Sequence, residues 1–148
     1  VMVGYYKNEQ ATAESFTEDG WLRTGDLGII DEDGFIYIKG RCKTMLLGPS
    51  GQNIYPEEIE AKINNMPYVL ESLVLQKDTR LVALVCPDFE AVDADHLTQD
   101  QLEVIMEENR KLVNAELAAY EQINEVRVYT HEFEKTPKKS IKRFLYEA

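Results

Sequence analysis

Positive charge is in short supply in this sequence: 16 Lys and Arg stand against 27 Asp and Glu in 148 residues, a formal net charge of −11. A surface that grips a nucleic-acid backbone needs cations clustered over a whole face, so general nucleic-acid binding is excluded for most of the chain. Cysteine is scarcer still. Cys42 and Cys86 lie far apart with no paired spacing, which fits neither a zinc site nor a disulfide framework and reads as reduced packing thiols in a cytoplasmic protein. The two histidines, His96 and His131, sit among polar residues with no nucleophile–base pattern beside them. No apolar run approaches the roughly 20 residues that cross a bilayer, and no signal-peptide pattern opens the chain. Internal repeats and low-complexity tracts are also missing.

What remains is enough for a core. Hydrophobic residues make up 44% of the chain, and a domain of this size buries roughly two-thirds of its unfolded surface. "VMVGYY" is strand-like from its first residue, as expected of a piece of a longer protein. A short helix is expected around Gln10 to Ser15. Two apolar stretches then flank Asp31-Glu32-Asp33-Gly34, a hairpin signal. Met45, Leu46 and Leu47 read as a short strand, and Gly48, Pro49 and Gly51 as a loop. Pro56 opens a helix whose Glu57 and Glu58 suit the positive end of its dipole. Ile59, Ile63 and Met66 give that helix one buried stripe, and Pro67 stops it. "YVLESLVLQK" and "RLVALVCP" are strands joined at Asp78-Thr79. A longer helix is expected from about Thr98 to Tyr120, with Leu102, Ile105, Met106, Leu112, Val113, Leu117 and Tyr120 at helical spacing. "INEVRVYT" alternates as a last strand. After residue 43 the predicted order is strand, helix, two strands, helix, strand and tail: an α+β unit with helices packed on a small sheet.

Four stretches in order carry a resemblance: "GWLRTGDLG" (Gly20 to Gly28), "GRCK" (Gly40 to Lys43), "GQNIYPEEIE" (Gly51 to Glu60) and "TPKKSIKR" near the end. Together they resemble the C-terminal part of the adenylate-forming, AMP-binding enzymes, which include acyl-CoA synthetases, peptide-synthetase adenylation domains and luciferases. The resemblance implies that residues 1–40 are the tail end of a large N-terminal domain, 41–43 a hinge, and 44–148 a small mobile C-terminal domain. It implies that Asp26 hydrogen-bonds the ribose hydroxyls of ATP, a role a carboxylate can fill because it accepts from both oxygens of a diol. Arg41 would reach the nucleotide near its ribose, and Lys43 would be the hinge residue. Gly51 would let backbone approach the pantetheine arm of coenzyme A. Glu58 and Glu60 read equally well as residues that favour the helix start and its solvated face.

The tail raises a separate question. Lys135, Lys138, Lys139, Lys142 and Arg143 put five positive charges in nine residues of an acidic chain. Relatives carry a lysine there, in the pattern Lys, aliphatic, any residue, Arg. Its ammonium meets the α-phosphate and the substrate carboxylate, where a mobile point charge suits a transition state rich in negative oxygen. Aligned on Ile141 and Arg143, or on Thr136-Pro137, that slot falls on Ser140. Lys139 or Lys142 substitutes, or no lysine here does.

The function implied is an ATP-dependent acyl-CoA synthetase. Carboxylate and ATP, with Mg in the full-length enzyme, would form acyl-AMP, and the acyl group would pass to coenzyme A. The "TP…IKR" ending points towards the long-chain fatty-acid type. The family's phosphate loop and acyl channel are not among these residues, so the 148 residues alone are expected to be inactive. Two other readings stay open: an adenylation domain that loads a carrier protein, and a non-catalytic binding module with a basic tail.

Overall fold

The computed structural model describes residues 2–147; Val1 and Ala148, the outer ends of the expected segments 1–40 and 44–148, lie outside the described residues. The chain divides into two units, the first ending at Lys43 and the second beginning at Thr44.

In the first unit, helix α1 (Glu9–Glu14) is capped by Asn8, whose side chain accepts from the Ala11 N–H. Strands β1 (Asp26–Ile30) and β2 (Ile36–Arg41) pair as an antiparallel hairpin with an irregularity between Leu27 and Gly28. Asp31 organises the turn, its Oδ1 accepting from the Phe35 N–H at 2.8 Å and the Asp33 N–H at 3.1 Å. That local bonding is why an Asp-rich stretch ending in glycine makes a hairpin here. Ile29, Ile30, Phe35, Ile36, Tyr37 and Ile38 are each at least half exposed on this ribbon.

The second unit opens with β3 (Leu46–Leu47), which pairs antiparallel with β4 (Asn53–Ile54). Helix α2 (Pro56–Ile63) follows, with Pro at its start and Glu57 and Glu58 in its first turn. Strands β5 (Val69–Lys77) and β6 (Arg80–Pro87) form an antiparallel pair. Helices α3 (Phe89–Ala94) and α4 (Gln99–Glu116) then carry the chain back to β7 (Ile123–Val128), which lies parallel to β6. The sheet order is β5-β6-β7.

The middle strand, β6, is buried from Leu81 through Pro87. Because strand side chains alternate in direction, both sheet faces need cover. Leu81, Ala83 and Val85 join Ile54, Ile59, Ile63, Leu102, Met106 and Val113 in a core with α2 and α4. Val82, Leu84 and Cys86 face the other way, where Leu73 and Phe133 complete a second cluster with Tyr129, Ile141 and Tyr146 packed on it. The tail therefore roofs one face of the sheet. Phe133 stacks on Tyr129 with ring centroids 5.0 Å apart, and Tyr146 meets Phe133 edge-on at 5.1 Å. The fold is α+β, as the sequence implies, and among the described residues no helix is long and apolar enough to cross a membrane.

Several elements depart from expectation for local reasons. α2 stops at Ile63, because Asn64 and Asn65 use their side chains elsewhere: Asn64 Oδ1 accepts from Ser72 Oγ, and Asn65 Nδ2 donates to the Ala61 carbonyl. Met66 thus leaves the helix yet still packs on the core. α4 ends at Glu116, where Asn114 turns its side chain to Ile123, accepting from its N–H at 2.8 Å and donating to its carbonyl at 2.9 Å. The buried stripe of α4 runs through Leu102, Met106, Asn109 and Val113, whereas Leu112 is exposed. Asn109 holds its place by donating to the Pro67 carbonyl at 2.9 Å. α3 and the short strand β4 were not expected from the sequence. Cys86 packs in the sheet and burial pushes its thiol up to about 11, but Cys42 is exposed and is not a core residue.

The tail's roofing role makes Phe133→Ala a sharp test. Removing a buried aromatic ring costs about 3–5 kcal/mol, and urea unfolding followed by circular dichroism should show that loss together with a faster proteolytic cut within residues 136–140.

Candidate functional site

The first unit brings two of the sequence-predicted residues together. Asp26 and Arg41 are register partners across the hairpin, and Arg41 Nε lies 3.0 Å from Asp26 Oδ1. Arg41 Nη1 donates to the Thr24 carbonyl at 2.9 Å, and the Cys42 N–H donates to the Gly25 carbonyl at 2.8 Å. Gly25 has φ +77°, the left-handed region that the Thr24–Asp26 turn requires. An exposed carboxylate has acceptor sites beyond the one that Arg41 engages, so the pair fits a polyhydroxylated, anionic ligand such as the ribose and phosphate of a nucleotide. Lys43, the last residue of this unit, is exposed. Among the described residues no group of three or more His, Cys, Asp or Glu converges as a metal site, so no residue of this chain is assigned to magnesium.

The second unit presents two loops built on one backbone plan. In Gly48–Gln52, the Gly48 N–H donates to the Gln52 carbonyl at 2.7 Å and the Gly51 N–H to the Gly48 carbonyl at 3.0 Å. In Thr136–Ser140, the Thr136 N–H donates to the Ser140 carbonyl and the Lys139 N–H to the Thr136 carbonyl, both at 2.8 Å. The fourth residue of each loop is left-handed, Gly51 at φ +83° and Lys139 at φ +62°. A Cβ at Gly51 would meet nothing within 4 Å, so the glycine answers the backbone conformation and not a lack of space. At the other loop, a lysine takes the place where glycine is usual.

That geometry separates the two lysines named from the sequence. Lys142 Nζ lies 3.1 Å from Glu134 Oε2, an ion pair inside the tail hairpin. Lys135 is likewise tied to Glu71 at 2.8 Å, and that hydrogen bond holds its ammonium above the ordinary lysine range. Lys138 and Lys139 stand at the exposed loop tip, where neither side chain has an ion pair or hydrogen bond among the described residues. Ser140 is exposed beside them, its N–H donating to Thr136 Oγ1 at 3.3 Å. The two histidines are exposed and outside these loops.

The residue that sequence reasoning misjudged is Glu60. It is 8% exposed, not solvated. Its Oε1 accepts from the Val74 N–H at 2.6 Å, and its Oε2 accepts from Arg143 Nη2. Arg143 Nη1 also donates to the Val74 carbonyl at 3.2 Å. Burial pushes the Glu60 carboxyl up to about 7 against the opposing pull of the Arg143 guanidinium. The signal was in the helical spacing, because position 60 falls on the stripe of Pro56, Ile59 and Ile63.

Left-handed backbone costs a non-glycine residue roughly 1–2 kcal/mol, partly cancelled by glycine's greater loss of freedom on folding, about 0.5–1 kcal/mol. Lys139→Gly should therefore stabilise the second unit by up to about 1 kcal/mol in urea titration. A lower midpoint would mean that the lysine side chain holds the loop.

Residues 44–148 match the family model described as AMP-binding enzyme C-terminal domain. A sulfoacetate–CoA ligase of Cupriavidus necator is 53% identical over 72 residues, 49% of this chain and 14% of the ligase. A long-chain-fatty-acid–CoA ligase of Mycobacterium tuberculosis is 42% identical over 94 residues, 63% of this chain and 16% of that protein. The crystal structure of the adenylation domain of a carboxylate reductase from Mycobacterium chelonae superposes with TM-score 0.84 and 27% identity, covering 97% of this chain and 24% of that one. The chain thus spans 14% and 16% of the two ligases and 24% of the adenylation domain it matches. With its second unit matched from end to end, the chain belongs to the AMP-binding enzyme C-terminal domain family.

Proposed function

We propose that this chain is the C-terminal region of an ATP-dependent acid–thiol ligase of the acyl-CoA synthetase type. The observation that carries the reading is the basic hairpin: the fold holds its two arms and leaves Lys138 and Lys139 at the tip. Asp26 would hold the ribose hydroxyls of ATP, and Arg41 would orient that carboxylate while adding positive charge near the nucleotide. A carboxylic acid attacks the α-phosphate of ATP, releasing pyrophosphate and leaving acyl-AMP. Lys139 is the lysine we assign to this step, since Lys142 is engaged with Glu134. A cation brought to oxygens that gain charge lowers the barrier more than it stabilises the substrates.

In the second step the thiol of coenzyme A displaces AMP from the acyl carbon, and Gly51 borders the path of the pantetheine arm. Lys43, between the two units, would be the hinge that exchanges one loop for the other. Residues 1–40 would complete a larger domain, a reading supported by the exposed apolar ribbon β1–β2, since an isolated two-stranded hairpin is marginally stable in water. The 148 residues alone are expected to show no turnover. The acid is assigned to the long-chain fatty acids on the similarity to the Mycobacterium tuberculosis ligase. A second reading, acyl transfer to a carrier protein, draws support from the likeness to the carboxylate reductase adenylation domain.

In a polypeptide that joins this chain to its large domain, fatty acids should drive ATP–pyrophosphate exchange, and Asp26→Ala should raise the KM for ATP. Exchange with sulfoacetate but not with fatty acids would reassign the acid. Absence of exchange across a broad acid panel would sink the ligase reading. Lys139→Ala should slow exchange by roughly tenfold to a thousandfold, as for removal of one charge-stabilising group, and Lys142→Ala should slow it much less. Lys43→Pro should impair thiol transfer more than exchange; equal effects would reject the hinge.

A further inference from the structure

The basic hairpin has two arms, and they are anchored by different means. The incoming arm is fixed to β5 through Glu71, which accepts from the Phe133 N–H at 3.1 Å and pairs with Lys135 at 2.8 Å, and through the burial of Phe133. The outgoing arm, Ser140–Arg143, pairs with the incoming one at the Lys135–Ile141 bridge and through the Lys142 N–H to the Glu134 carbonyl. Beyond the hairpin itself, its polar anchor is Arg143. That guanidinium reaches Glu60 on α2 and the Val74 carbonyl on β5 together, while Glu60 also accepts from the Val74 N–H. Guanidinium, carboxylate and the backbone N–H and carbonyl of one residue, Val74, close a ring of hydrogen bonds that defines a single seat for Arg143.

We infer that Glu60 is a positioning residue for the first half-reaction: acting through Arg143, it fixes the outgoing arm of the basic hairpin and so the place where the tip lysines are presented. The inference rests on the adenylation role proposed above for the hairpin, but its structural half can be tested without it.

The surroundings of Glu60 make the arrangement sensitive to charge. The charged groups acting on it are Arg143 from the tail and Glu57 from its own helix, with β5 supplying the Val74 N–H. Glu57 lies 3.9 Å from Arg143, accepts at Oε1 from the Thr44 hydroxyl at 2.5 Å, and has its Oε2 buried without a hydrogen-bond partner. A second carboxylate beside the same guanidinium raises the cost of ionising Glu60, as burial does. A carboxyl raised in the folded state binds its proton more tightly there than when unfolded. The stability it contributes is fully present below 4.5 and is lost as pH rises through about 7. Across the same interval ionisation strengthens its attraction for Arg143. Global stability and seating of the arm therefore change in opposite directions with pH.

The test uses nuclear magnetic resonance of the whole 148-residue chain and the variants Glu60→Gln and Arg143→Lys. Glutamine keeps an acceptor for the Val74 N–H but loses the charge, and lysine keeps the charge but loses the fork that reaches two acceptors. In both variants the backbone order parameters of Ser140–Lys142 should fall from about 0.85 to below about 0.6, while those of Phe133–Lys135 and β6 stay unchanged. In the unsubstituted chain the Arg143 side-chain N–H shift should titrate with a midpoint near 7, and Glu60→Gln should abolish that titration. Unchanged order in Ser140–Lys142, or equal loosening of β6, overturns the inference, the second because it marks a merely structural residue. In the polypeptide with its large domain, Glu60→Gln should lower kcat for adenylation by about ten- to a hundredfold with the KM for the acid unchanged. A loosened arm with an unchanged kcat also overturns it. Failure of the unsubstituted polypeptide to catalyse exchange would instead overturn the adenylation reading, while the loosening and the titration remain valid as measured.

Discussion

A three-stranded sheet whose middle strand is buried from Leu81 through Pro87 sets the terms for the second unit. β6 turns Leu81, Ala83 and Val85 to one side and Val82, Leu84 and Cys86 to the other. Helices α2 and α4, with Val92 of α3, cover the first side. The second side is covered by the tail, with Tyr129, Phe133, Ile141 and Tyr146 packed on it. Removing apolar surface from water is the driving force, and the basic hairpin is the part of that cover that projects from it. The basic hairpin and the stability of the sheet thus depend on the same tail, in a domain with only a few kcal/mol to spare.

Electrostatics then refines what apolar packing leaves loose. A buried carboxylate bridging a helix, a strand and the tail adds little net stability, because desolvation offsets most of the attraction. What it supplies is geometry: only one seat for Arg143 satisfies both Glu60 and the Val74 carbonyl. The first unit shows the exposed counterpart. Asp26 and Arg41 meet on an open hairpin, where solvent screening leaves an ion pair worth little to stability and leaves its charges accessible to a ligand.

Much of this was legible in the sequence. The Asp31–Gly34 turn, the β5–β6 pair and the start of α2 follow from turn chemistry, alternation and a proline at the helix start. The meeting of Asp26 with Arg41 follows from the hairpin, once its register is set. The ends of α2 and α4 were not legible, because Asn64, Asn65 and Asn114 act through partners that folding brings near. Leu112 is exposed and Asn109 buried for the same reason, a single amide finding the Pro67 carbonyl. Glu60 sat in plain view on the buried stripe of α2, but its charge outweighed its spacing until Arg143, 83 positions away, was seen beside it. The split between Lys139 and Lys142 likewise required the loop geometry.

The shared plan of the Gly48–Gln52 and Thr136–Ser140 loops bears on what substitution can do at the tail. The left-handed position restricts residue 139: glycine and asparagine are favoured there, and β-branched side chains are strongly disfavoured. Position 140 carries no such restriction, since Ser140 is exposed and does not share the left-handed backbone of its neighbour. The backbone therefore leaves residue 140 free to vary while holding 139 narrow. A cation at 140 would be admitted without any rearrangement of the fold, because the side chain there points into an exposed surface on ordinary backbone.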